Sequence, residues 1–449
     1  MIIKRVQDLF NQVVNKPVKI YPLVVFRILF GAMMALSVVR FLSKGWVQDV
    51  YLAPRFFFSY WGMDFIQPYH PIFIYTLFGL MLIASLGIIL GAYYRLSASL
   101  FFLAFTYIEL IDKSTYLNHY YFVSLIAFLL IFLPAHRYFS WDVKRGAVEG
   151  TNQISAWPIR LIQFQLAMVY IFAGIAKLNP DWLLEAQPLR IWLQAHQDMP
   201  LLGPLLAQKA TAYFFSWAGA LYDLFIVFFL LNNRWRSFAY VAVVVFHGFT
   251  ALLFPIGMFP YIMVLSTLIF FSEDFHQKVI QRLAKLIRYQ APETYTQNWA
   301  QKLPKAFILY ILIQIIVPLR FLVLPGNLYW NELGYRYSWR VMLMEKAGYA
   351  TFWITDSSTG KTAEIAPSDY LTPLQVKMMA TQPDMILQFA HFLKKEFQAQ
   401  GIANPEVRAQ SYVTFNGRGS RPFLDSSVDL TQFSIYSTDL SWVLPFQDQ

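Results

Sequence analysis

The chain has 449 residues, of which 57% are hydrophobic, 18% aromatic and only 14% charged, too few charges for a soluble globule, in which about a quarter of residues carry one. It contains no cysteine, which excludes disulfides, thiolate nucleophiles and cysteine-held zinc or iron–sulfur sites, so any redox chemistry must come from a bound molecule. The net charge of +10 is scattered between apolar runs and not gathered into a stripe or arm, which argues against a nucleic-acid partner and reads as a topology signal.

The first 20 residues, MIIKRVQDLFNQVVNKPVKI, are basic and amphipathic, and the apolar run behind them lacks a small-residue cleavage site, which predicts a retained cytoplasmic signal anchor. A helix crosses hydrocarbon with about 20 mostly apolar residues. Nine segments qualify, near 22–41, 72–93, 96–112, 120–134, 158–177, 213–232, 237–254, 256–272 and 306–324. The fourth and eighth are short, and Pro255-Ile256-Gly257 joins the seventh to the eighth, so that pair reads as a broken or re-entrant element. With the N-terminus inside, the cytoplasmic set holds Lys4, Arg5, Lys16, Lys19, Arg95, Arg137, Lys144, Arg145, Arg234, Arg236 and the basic run from Lys278 to Lys305. The opposite loops hold only Lys44, Arg55, Lys113, Arg190 and Lys209 before the last crossing, which is the positive-inside bias. Nine crossings then place everything after 325 outside.

From Pro325 the pattern changes. YATFWITDSSTGKTAEIAP alternates around a turn and predicts a hairpin. PDMILQFAHFLKKEFQAQG has helical spacing and a glycine stop, and EVRAQSYVTFNGRGSRPFL reads as two strands around Asn416-Gly417. No internal repeat or low-complexity segment occurs. The expected fold is an α-helical polytopic membrane bundle over 21–325 carrying a small extracytoplasmic α+β domain over 326–449.

Ionisable residues inside a membrane are costly and therefore each a candidate site. Lys177, in VYIFAGIAKLNPDW, ends the fifth segment behind Ala173, Gly174 and Ala176, small residues that admit a neighbouring helix or a flat ligand. It reads either as a lysine snorkelling to the interface or as a desolvated amine, since burial penalises the charged form and leaves a free base. His119, with Asn118 beside it, opens the fourth segment at the same outer level, either as an interfacial histidine or as a partner of Lys177. His247 lies in the outer third of the seventh segment. Asp223 falls mid-span in the sixth, as a buried hydrogen-bonding partner or a proton-handling group, and Glu109 ends the third. Beyond the last crossing, LYWNELGYRYSWRVMLMEK gathers Trp330, Tyr335, Arg336, Tyr337, Trp339 and Arg340, which serve either as an interfacial aromatic belt or as a wall for a planar ring with an arginine fork for a carboxylate. No H-x-x-x-H pattern, Walker loop, G-x-G-x-x-G unit or G-x-S-x-G elbow is present, and no metal site is expected.

On these residues the chain resembles the vitamin K-dependent gamma-glutamyl carboxylase family, part of the horizontally transferred transmembrane (HTTM) domain group. The matching stretches are GIILGAYYRLSASLFFL, IDKSTYLNHYYFVSLIAFLL, VYIFAGIAKLNPDW, LYDLFIVFFL, FHGFTALLFPIGMFPYIM, NELGYRYSWRVM and ITDSSTGKTAEI, which together span nearly the whole chain. The resemblance implies oxidation of a reduced naphthoquinol, reduced vitamin K, by O2 to its epoxide. That oxidation is coupled to removal of a glutamate γ-proton and capture of CO2. It implies Lys177 as the base on the quinol and His119 as its assistant. It places Asn118, His247, Met258, Phe259 and Tyr335 around the quinol, and Trp330, Tyr337, Ser338, Trp339 and Arg340 around a Glu-containing protein substrate. A lipid-like quinone tail suits a pocket that opens toward lipid. Animal members continue for several hundred residues into a region that helps hold a propeptide, whereas this chain stops at Gln449, so the expectation is a bacterial-type short homologue in the inner membrane without that mode of recognition. Around TQPDMILQF the basic residues of the animal enzymes are absent, while Arg340 and Lys346 place charge close by. A quinol epoxidase or oxidase without glutamate carboxylation and a non-catalytic quinone- or lipid-binding membrane protein are the other readings of the same residues.

Overall fold

The computed structural model of the chain describes residues 13–289 and 302–447. Of the expected amphipathic N-terminus, residues 1–12 lie outside the described residues. The chain enters the bundle through β1 (Pro17–Lys19), paired antiparallel with β2 (Gln153–Ser155). Each of the nine apolar segments is helical: α1 (Tyr21–Ser43), α2 (Pro71–Leu90), α3 (Tyr94–Leu110), α4 (Asn118–Phe132), α5 (Trp157–Ala176), α6 (Lys209–Leu231), α7 (Arg236–Leu253), α8 (Phe259–Thr267) and, after an amphipathic α9 (Glu273–Leu286), α10 (Lys305–Leu319). Six of the described helices are long and apolar enough to cross a membrane: α1, α2, α5, α6, α7 and α10 with its extension to Val323. The others, α3, α4 and α8, have 17, 15 and 9 residues.

Prolines mark the starts. Pro22, Pro71, Pro158 and Pro260 sit in the first turns of α1, α2, α5 and α8, where their missing N–H leaves no bond unmade. Helix α5 is central, with 67% of its apolar window buried, whereas α10 is peripheral at 17% and turns leucine and isoleucine outward to lipid. The small residues before Lys177 do bring a neighbour close. A Cβ at Gly174 would stand 2.7 Å from the backbone nitrogen of Leu224, so only glycine lets α5 and α6 touch there.

The outer domain is a four-stranded antiparallel sheet, ordered β4 (Thr362–Ile365), β3 (Lys346–Asp356), β5 (Pro405–Phe415), β6 (Arg418–Pro422). Helix α11 (Pro383–Ala399) packs on it. Asn416 and Gly417, at φ 48° and 78°, make the tight β5–β6 turn that an Asn-Gly pair favours. Two charge clusters seat this domain on the bundle. Asp181, just after α5, takes Arg418 at 2.8 and 2.9 Å and the Asn416 amide at 2.6 Å. Asp384, opening α11, takes Lys113 at 2.7 Å and Arg336 at 2.9 Å.

Burial alone would push the Asp384 carboxyl up, but Arg336 and Lys113 outweigh it and hold the group well below its ordinary 3.8. A carboxyl depressed on folding stabilises the seated domain at pH above its unfolded value and loses that contribution as pH falls toward the folded one. Asp384→Asn is therefore expected to melt below wild type at neutral pH, yet to lose less of its Tm than wild type between about pH 5 and about pH 2. Thermal unfolding in detergent across that range checks it.

Candidate functional site

The sequence NPDW explains how Lys177 is held. Lys177 caps the C-terminus of α5, and the Asn179 side chain then accepts the Trp182 N–H, starting a new turn at Pro180. That turn folds Trp182 back, so its indole N–H donates to the Ser216 carbonyl at 2.7 Å and its ring lies 5.3 Å from Lys177 Nζ. The lysine is 6% exposed and points inward, donating to Asp223 Oδ2 at 2.6 Å, with the Ala173 carbonyl at 3.4 Å. It does not snorkel, and the solitary amine expected from burial is in fact one half of a buried pair whose other half comes from α6.

The pair lines a cavity of about 430 Å³ enclosed by α5, α6, α7 and α8. Its walls are Tyr170, Trp182, Tyr222, Phe246 and Phe259, and Lys177 is the sole lysine or arginine among the described residues that line it. His247 reaches it from α7, with Nε2 3.2 Å from the Tyr170 hydroxyl and Nδ1 without a hydrogen-bond partner among the described residues. Phe214, Val245 and Phe249 line the cavity and are also exposed on α6 and α7, so it opens sideways toward lipid.

A second cavity, of about 720 Å³, lies against the first, between the bundle and the outer domain. It is polar and basic. Arg40 from α1, Asn118 and His119 from α4, Met258, and Tyr335, Arg336, Arg340 and Lys346 from the outer domain line it. Three of the six lysines and arginines that line it are already balanced: Lys113 and Arg336 hold Asp384, and Lys346 binds Glu332 at 2.8 Å along with the carbonyls of Trp330 and Thr381. Ile256, Phe259, Val341 and Met342 line both cavities and form the wall between them. The Phe259 ring stands 5.9 Å from that of His119 on one side and 5.6 Å from that of His247 on the other.

The backbone at this wall is unusual. Pro255-Ile256-Gly257 breaks the chain between α7 and α8, with Gly257 at φ 61°. The segment from the outer domain holds Glu332, Tyr337, Trp339 and Met342 at φ 53° to 62°, which costs energy in residues other than glycine and concentrates at working sites.

Lys177 and His247 thus line the apolar cavity, Asn118, His119, Met258, Tyr335 and Arg340 line the polar one, and Phe259 divides them. Trp330, Tyr337, Ser338 and Trp339 line neither. Trp330 sits in the outer-domain core and donates to the Leu444 carbonyl at 2.8 Å, Trp339 is fully buried against Tyr121, Tyr337 packs between Tyr116 and Tyr121, and Ser338 donates to the Gly334 carbonyl. Residue types alone leave Asp223 with two readings and do not tie it to Lys177, and they draw no attention to two arginines inside the first apolar segment. Of these Arg27 is structural, donating to the carbonyls of Ala135 and Phe139 at 2.9 and 2.7 Å. Arg40 faces the polar cavity.

Two known families match the chain: the HTTM domain over residues 15–275, and the vitamin K-dependent gamma-carboxylase, lumenal domain, over residues 300–449. No solved structure matches it.

Proposed function

The chain belongs to the vitamin K-dependent gamma-glutamyl carboxylase family, and on that premise we propose that it is a multi-pass membrane enzyme coupling naphthoquinol oxidation to glutamate carboxylation across the wall at Phe259. One observation carries this reading: a buried amine faces a lipid-open aromatic cavity, and a single layer of side chains separates that cavity from a basic one. A planar, lipid-tailed ring suits the first, whose size is that of an ordinary small-molecule site and whose rings offer stacking surfaces. An acidic peptide suits the second. When bound, the quinol supplies the electrons that O2 takes up and, through that oxidation, the basicity needed to remove the glutamate γ-proton, after which the carbanion adds CO2.

Within this scheme Lys177 accepts a ring-hydroxyl proton. The Asp223 carboxylate, 2.6 Å from Nζ, orients the amine and offsets the charge that arrives there with the proton. Trp182 and Phe246 keep water from the amine. His247 Nδ1 and His119, on opposite sides of Phe259, offer the polar contacts that orient the ring and its neighbour. The N-terminus lies in the cytoplasm, with both cavities at the extracytoplasmic face of a bacterial inner membrane, as the distribution of lysine and arginine supports.

Purified protein in lipid nanodiscs, given reduced naphthoquinol, O2, labelled bicarbonate and a Glu-containing peptide, is expected to form epoxide and fixed label together. Epoxide without label would restrict the chain to quinol epoxidation, and unchanged quinol would reduce it to a binding protein. Phe259→Ala, which thins the wall, is expected to lower label per epoxide by about tenfold while epoxide still forms, as counted from both products of one incubation.

A further inference from the structure

Two arginines of the polar cavity, like its Lys377, pair with no carboxylate among the described residues, and both are held against aromatic rings. Arg340 is 6% exposed, lies over the rings of Phe321 and Tyr329 at 4.4 and 5.5 Å, and donates from Nη1 to the Tyr329 hydroxyl at 3.0 Å. Its Nε has no hydrogen-bond partner among the described residues. Arg40, from α1, lines the same cavity and stacks on Trp46 at 4.7 Å. Among the described residues neither guanidinium pairs with a carboxylate, although Lys113, Arg336 and Lys346 in the same cavity all do. An arginine stacked on aromatic rings has lost rotamer freedom in advance and presents its remaining N–H groups as a planar fork, the arrangement that recognises carboxylates.

We propose that Arg340 and Arg40 form a paired-carboxylate site: Arg340 holds the carboxylate of the substrate glutamate, and Arg40 receives the second carboxylate that CO2 supplies. The assignment deepens the carboxylase reading and rests on it. Carboxylation breaks one C–H bond, forms one C–C bond to CO2 and leaves a malonate-type side chain with two carboxylates and one released proton. A substrate with one charge thus becomes a product with two, and the cavity has two uncommitted forks. The cations already paired with carboxylates are not available to the ligand.

Binding of short peptides to wild-type protein without quinol, measured by titration calorimetry, tests the site apart from turnover. A peptide bearing a malonate-type side chain is expected to bind about tenfold more tightly than its glutamate counterpart. Arg40→Gln is expected to erase that difference while glutamate binding persists, and Arg340→Gln to weaken both peptides by about tenfold or more. Arg40→Lys, which keeps charge but loses the fork, is expected to recover only part of the preference. Equal binding of the two peptides to wild type, or a preference that survives Arg40→Gln, would overturn the proposal. Failure of the carboxylase reading itself shows elsewhere, as absence of fixed label in the coupled assay, and leaves these binding results to stand or fall on their own.

Discussion

Replacing Lys177 with methionine is expected to lower naphthoquinol epoxidation and glutamate carboxylation together, by about 10²- to 10⁴-fold, the range a positioned acid–base group contributes. Methionine keeps the apolar length of the side chain, so the cavity stays filled and Trp182 keeps its seat against Ser216. Asp223 is left without its cation and in those surroundings takes up a proton, which costs far less than an isolated buried charge. What disappears is the one amine among the described residues that line the cavity. Both products should fall in step, because carboxylation draws on the oxidation. Chromatography of the quinone products beside label counting measures the two rates in one sample.

Asp223→Asn attacks the same step from its partner. Asparagine preserves shape and a hydrogen bond to the amine but removes the charge that offsets an arriving proton. Loss of one preorganised electrostatic contact of this kind costs about 10²- to 10³-fold in kcat. KM for the quinol is expected to change little, since the aromatic walls that bind the ring are untouched. A variant with reduced quinol affinity and normal kcat would place Asp223 in binding and not in proton transfer. The pair exists only because α5 and α6 meet at Gly174, so a bulky residue there should reproduce the Asp223 defect without touching either charge.

The bundle was legible because a membrane imposes a simple rule: twenty or so apolar residues read as a crossing whatever they pack against. The boundaries of α3, α4 and α8 were harder, since these helices lean on neighbours and are shorter than the rule demands. The break at Pro255-Ile256-Gly257 was visible from residue types alone, yet its role as part of a wall between two cavities depends on Val341 and Met342, which arrive from far along the chain. Lys177 stood out because a lysine in an apolar run has few neutral explanations. Its partner did not, because nothing in LYDLFIVFFL says which helix Asp223 faces. Arg40 lay hidden inside a mostly apolar segment, and the aromatic cluster had two readings until the fold showed Tyr337 and Trp339 packed against Tyr121 and outside both cavities. Periodicity and composition report the local environment; pairings across helices come only from the fold.

Imaging the protein in nanodiscs with a non-oxidised naphthoquinol bound under anaerobic conditions tests the central claim most directly. The ring is expected between Trp182 and Phe246, with one hydroxyl oxygen about 2.7–3.2 Å from Lys177 Nζ and its tail leaving between α6 and α7. A ring seated in the polar cavity, or a lysine still turned to Asp223 with no ring oxygen in reach, would contradict it.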